Sequence, residues 1–132
     1  MELTEKQKRF FKSFDFSLQH GHPCLFSSGE RVWGKTTILN EIGFTYQALG
    51  YDVFLVTSSF QGVHHFCHTT FNGEEDRRKI DPRKKTIAII DEFTTEDDRF
   101  HEIIECLEAY GVPYVGFVKF KDDAEEYPEG VF

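Results

Sequence analysis

Four short apolar runs constrain the fold of this chain more than any other feature: Cys24-Leu25-Phe26-Ser27, Tyr51-Asp52-Val53-Phe54-Leu55-Val56-Thr57, Thr86-Ile87-Ala88-Ile89-Ile90-Asp91 and Val112-Pro113-Tyr114-Val115-Gly116-Phe117-Val118. None alternates apolar and polar residues as a strand with one wet face does. Strands covered on both faces read this way, and they belong to parallel sheets whose crossovers are helices. Helical patterns fill the gaps between the runs. From Thr4 to Leu18, Phe10, Phe11, Phe14 and Leu18 recur at helical spacing behind a capping Thr4, and Gly21 and Pro23 close the segment. From near Lys35 to about Leu49, Ile38, Leu39, Ile42, Tyr46 and Leu49 share a face that Gly50 terminates. From about Asp97 to Tyr110, Phe100, Ile103, Ile104 and Leu107 point inward. Strand and helix in alternation predict an α/β fold, a three-layer sandwich around a short parallel sheet of four or five strands. The stretch from Ser58 to Lys85 is expected to hold one short helix and a mobile basic loop.

A length of 132 residues fits a single domain over 1–132. Its 1–20 segment is the first helix, and 121–132 reads as an acidic, solvated tail with five acids and no base from Asp122 on. With 39% hydrophobic residues, 15 of them Phe, the chain can bury a ring-rich core, which excludes global disorder. No apolar run approaches the ~18 residues of a membrane span, and the first residues lack the apolar stretch of a signal peptide. Cys24, Cys67 and Cys106 are too scattered for a disulfide framework. The expectation is a soluble, cytoplasmic protein with no membrane contact.

The net charge is −8, but it is unevenly spread. Arg77, Arg78, Lys79, Arg83, Lys84 and Lys85 crowd into one run holding a single acid, Asp81, while elsewhere nine bases face 22 acids. Bulk charge therefore excludes general nucleic-acid binding, and any DNA contact would have to be local to that run. His64, His65, Cys67 and His68 invite a zinc reading, but no second cluster with ligand spacing completes a four-ligand site. Phe60-Gln61-Gly62-Val63 is best read as a hydrophobic crossover.

The chemistry-bearing segment is Gly29-Glu30-Arg31-Val32-Trp33-Gly34-Lys35-Thr36, a full match to G-x-x-x-x-G-K-[ST] placed between a predicted strand and a predicted helix. The backbone amides of such a loop and the following helix N-terminus, through Thr37, form a cradle for a polyphosphate. Lys35 would bring a cation to the β- and γ-phosphates, and the Thr36 hydroxyl would join the shell of a Mg²⁺ ion. The third apolar run ends on Asp91-Glu92, two carboxylates at the carboxyl end of a buried strand, where desolvated charge needs a partner. Asp91 would hold the metal and Glu92 would face an attacking water as base.

Together the two segments resemble the Walker A and Walker B motifs of P-loop NTPases, and the Asp91-Glu92 pair resembles the branch containing RecA-like and AAA+ ATPases. The resemblance covers Cys24 to about Phe120. It implies ATP and Mg²⁺ as cofactors, ATP hydrolysis as the activity, and the fourth strand lying between the first and third. The Arg-containing, glycine-poor loop and Asp91-Glu92-Phe93 look like phage DNA-packaging ATPases, which implies a DNA-related assembly. The branch places a small polar residue at the end of the fourth strand; here Phe117, Val118 and Phe120 surround Lys119. With no arginine finger from a lid, either Arg31 acts from within the loop, or a partner supplies the cation, or turnover is slow. A bare sheet edge and many exposed rings are expected, and with them a homo-oligomer or a larger protein partner. Two other readings stay open: a non-catalytic nucleotide-binding regulator, or loader-like partner of a larger ATPase, and a nucleoside kinase, which lacks here the cysteine pairs that often staple its lid.

Overall fold

The computed structural model describes residues 3–27, 34–57, 66 and 68–119, the side chain of Glu92 excepted. The elements are α1 (Glu5–His20), β1 (Cys24–Ser27), α2 (Lys35–Ala48), β2 (Asp52–Thr57), β3 (Thr69–Thr70), a 3₁₀ helix (Glu74–Lys79), β4 (Thr86–Thr94), α3 (Asp98–Ala109) and β5 (Tyr114–Lys119). All five strands are parallel and lie in the order β1-β5-β4-β2-β3. The fourth expected strand thus sits between the first and third.

Strand parity divides the core into two. Cys24, Phe26, Val53, Leu55, Ile87, Ile89, Val115 and Phe117 face α1 and α2 in one cluster, together with Phe10, Phe14, Ile38, Leu39, Ile42 and Tyr46. The alternate residues Leu25, Phe54, Val56, Ala88, Ile90, Tyr114 and Val118 face α3 in the other, against Phe100, Ile103, Cys106 and Leu107. Because successive side chains of a strand take opposite faces, continuous apolar runs produce two buried faces and three layers.

α1 begins on a capping box. The Gln7 amide donates to the Thr4 hydroxyl at 3.2 Å, and the Thr4 amide donates to the Gln7 side-chain oxygen at 2.9 Å. Such a cap contributes about 1 kcal/mol. Phe10, Phe14 and Leu18 form its buried stripe, and Gly21 ends it in the left-handed region at φ 69°. Phe10 meets Phe26 edge-on with centroids 4.9 Å apart, and Phe14 meets Phe117 at 5.5 Å, so α1 is pinned over β1 and β5 by rings. The Tyr46 hydroxyl donates to Asp15 at 2.6 Å, tying α2 to α1. On the other face, the Tyr114 hydroxyl donates to Glu108 at 3.1 Å and ties β5 to α3.

Several details depart from expectation. Leu49 follows the last turn of α2 and is 65% exposed, so it leaves the buried face assigned to it. β4 runs on to Thr94 rather than stopping at Asp91. Rings are mostly interior: among the described residues only Phe16, Phe44 and Tyr110 are exposed aromatics, which removes the many exposed rings from the case for an assembly. Among the described strands β1 nonetheless stands at the sheet edge, paired only with β5. Among the described residues no helix is long and apolar enough to cross a membrane.

Candidate functional site

Parallel strands bring every carboxyl end to one side of the sheet, and two chemistry-bearing segments meet there. β1 leads through residues 28–33 to Gly34, which opens α2. Gly34 has φ 74°, a left-handed conformation that favours glycine, and its Cα lies against the side-chain amide of Gln7, which would have to move to admit a Cβ. Gln7, the partner of Thr4 in the capping box of α1, is thereby set against the entrance of α2, a contact the sequence patterns did not indicate. Lys35, Thr36 and Thr37 form the first turn of α2 and are half-buried, within reach of a ligand. Gly29, Glu30, Arg31, Val32 and Trp33 lie outside the described residues.

Across the sheet, register aligns Phe26, Phe117, Asp91 and Thr57 in one row. Asp91 stands two strands from β1, about 10 Å at ordinary strand spacing. It follows Ile87 and Ile89 in parity and so faces the α2 side, the side on which Lys35 begins its helix. It is 5% exposed, a buried carboxylate at the end of an apolar strand.

Residue 92 has a role the sequence did not reveal. The β4–β5 ladder pairs Asp91 with Phe117 and Phe93 with Val118, so Glu92 is the extra residue of a bulge. Strict alternation would send Phe93 to the same face as Asp91. The bulge instead delivers Phe93, fully buried, to the α3 core beside Phe100, with ring centroids 5.7 Å apart. The Arg99 guanidinium lies 5.1 Å from the Phe93 ring. A large apolar anchor directly after two carboxylates thus fixes where Asp91 points. The signal was present as Asp-Glu-Phe, but a bulge depends on a neighbouring strand.

Thr36 and Asp91 are hard oxygen donors, the kind Mg²⁺ takes. A helix N-terminus and a half-buried lysine on the same sheet end suit a polyphosphate.

The basic run is less available than its composition suggests. Arg77 pairs with Glu74 at 2.8 Å, Lys79 with Asp76 at 3.1 Å, Arg83 with Asp81 at 3.2 Å and Lys84 with Asp52 at 3.6 Å. Lys85 sits over the Tyr51 ring at 5.7 Å. Arg78 completes the run on the 3₁₀ helix. The fold brings acids from 74–76 and from β2 to these bases, and the local surplus of positive charge largely disappears. The histidine-rich segment is described only at His68, whose Nδ1 lies 2.8 Å from the Phe66 carbonyl oxygen. His64, His65, Cys67 and the 60–63 crossover fall outside the described residues. Among those described, no group of three or more potential ligands could hold a metal.

Neither described cysteine offers a nucleophile. Burial pushes the Cys24 thiol up, an effect partly opposed by its hydrogen bond with Ser17. Burial, aided by Glu74, pushes Cys106 up to about 11. Both thiols should therefore resist iodoacetamide at pH 8 in the folded protein and react on denaturation, as peptide mass mapping would read. Modification of either in the native state at the rate of the unfolded chain would contradict this packing. For Cys106 the linkage has a definite sign: above the ordinary value of 9.0 the unfolded chain holds fewer protons than the native state, so stability falls as pH rises toward about 11.

No protein-family model matches this chain, and no curated protein matches it.

Proposed function

We propose that this chain is an ATP-binding protein of the P-loop NTPase type, of the RecA-like and AAA+ branch, and a Mg²⁺-dependent ATPase. The observation that carries the reading is the meeting, at one end of a parallel sheet ordered β1-β5-β4-β2, of the Gly34-Lys35-Thr36 entry to α2 and the buried Asp91. Sequence motif and fold support it from different directions, since the motif match carries no information about strand order.

In this reading the amides at the start of α2 bind the phosphates, and the Lys35 ammonium neutralises the oxygens between the β- and γ-phosphates. Thr36 and Asp91 would hold a Mg²⁺ ion, which when bound would supply positive charge to the phosphates. Glu92 accepts the proton of the attacking water. Arg31 supplies the further cation that the transition state needs, unless a partner does so. The pairing of the 77–85 bases with nearby acids leaves DNA contact outside the proposal.

One observation favours a second reading, a nucleotide binder without brisk turnover. At the end of β5, Phe117 and Val118 are fully buried and Lys119 is exposed, so the described strand end carries no small polar residue to sense a terminal phosphate. Glu92→Gln separates the two. An ATPase should lose phosphate release by about 10²-fold or more in this variant while keeping its affinity for ATP. If the parent releases no more phosphate than Glu92→Gln and both bind ATP, the non-catalytic reading holds. Failure of both to bind ends the nucleotide reading altogether.

A further inference from the structure

The first half of α1 and Phe26 of β1 border an open cleft of about 340 Å³, lined among the described residues by Lys6, Arg9, Phe10, Ser13 and Phe26. Its floor is aromatic: Phe10 and Phe26 are 5% and 8% exposed and meet edge-on. Its rim is cationic. Lys6 and Arg9 are exposed, and among the described residues neither forms an ion pair, whereas Lys8 is engaged with Glu5 at 3.5 Å. Over residues 5–12, four bases face one acid in a chain whose net charge is −8. Cationic side chains lining the same cleft as buried rings suit an aromatic side chain flanked by carboxylates.

The chain carries such a segment. Beyond Lys119 it continues through Asp122, Asp123, Glu125, Glu126, Tyr127, Pro128 and Glu129, with Lys121 the only base after β5. Its starting point is close, because Val118 pairs with Ser27, so Lys119 at the end of β5 lies one strand from the end of β1. At roughly 3.3 Å per extended residue, Tyr127 can reach about 26 Å from Lys119, ample for the first turns of α1. A cavity of ~150 Å³ suffices for a benzene ring, so this cleft holds a phenol. The alternative basic destination, Arg77 to Lys85, has most of its charge engaged by Glu74, Asp76, Asp81 and Asp52.

We propose that residues 120–132 of this same chain dock on α1, with Tyr127 in the Phe10–Phe26 cleft and Glu125 and Glu126 against Lys6 and Arg9. The proposal is independent of the nucleotide reading, because the contact is made without ligand.

The test is a photo-crosslink in the full-length protein, with p-benzoylphenylalanine in place of Tyr127 and no nucleotide present. Cross-links should map to peptides holding residues 6–13 or 24–27, and high salt should lower their yield. Lys6→Glu with Arg9→Glu should reduce the yield roughly tenfold. Adding Glu125→Lys and Glu126→Lys to that pair should restore it, and circular dichroism should report unchanged folding throughout. Cross-links that map to 77–85, that scatter, or that ignore the charge reversals would overturn the proposal. So would links between copies in a mixture of isotope-labelled and unlabelled protein, which would give the surface to a second molecule.

Discussion

Lys35→Ala is expected to abolish the thermal stabilisation that ATP and Mg²⁺ confer on the parent protein. A ligand at a hundredfold excess over its Kd stabilises by about 2.7 kcal/mol. For a domain of this size each kcal/mol moves Tm by roughly 3–5 °C, so the parent should shift by ~10 °C. Lys35 occupies the first turn of α2 and is half-buried, and alanine is an excellent helix former, so the helix should persist and the ligand-free variant supplies its own baseline. Differential scanning fluorimetry with and without nucleotide reads both quantities. Equal shifts in parent and variant, or no shift in either, would remove the anion site from this end of the sheet.

Gly116→Ala should be the most damaging single methyl addition in the described sheet. Gly116 lies mid-strand in β5 with φ 151°, and a Cβ there would overlap the backbone of Ile90 in β4. The obstacle is main chain in the middle of the sheet and cannot rotate away. Losses above about 4 kcal/mol arise from such mechanisms, a large part of the 5–15 kcal/mol that keeps a domain folded. Gly111→Ala is the control. That glycine also has a positive φ, 67°, but open space around it, so it should cost only the 1–2 kcal/mol of left-handed strain. Urea midpoints compare the two. A Gly116→Ala cost no larger than the Gly111→Ala cost would show that β4 and β5 do not approach this closely.

Much of the scaffold was legible because its signals are local. Thr4 and Gln7 announce a capped helix, Phe10, Phe14 and Leu18 give its stripe, and unbroken apolar runs give parallel strands. The strand order came from resemblance to a known branch rather than from any residue pattern. What escaped was non-local or chemically ambiguous. β3 is two exposed threonines with no apolar periodicity to reveal them. The carboxylates of Asp91 and Glu92 broke the apolar run, so β4 read as ending where it in fact bulges and continues to Thr94. Leu49 keeps the helical period after the helix has closed, and periodicity cannot tell a last turn from the step beyond it. The basic run looked unpaired because Glu74, Asp76 and Asp52 reach it only once the chain has folded. At the candidate site, the motif pointed to Lys35 and Asp91, and the sheet brings their segments to one end. The packing of Gln7 against Gly34 needed coordinates.

The edge position of β1 has a consequence for how the molecule is made. Among the described strands β1 pairs only with β5, with Cys24 opposite Val115, so the chain must be synthesised through β5 before that ladder can close. Contacts so distant in sequence form slowly. During translation, α1 and α2 therefore emerge while the strand between them still waits for its neighbour.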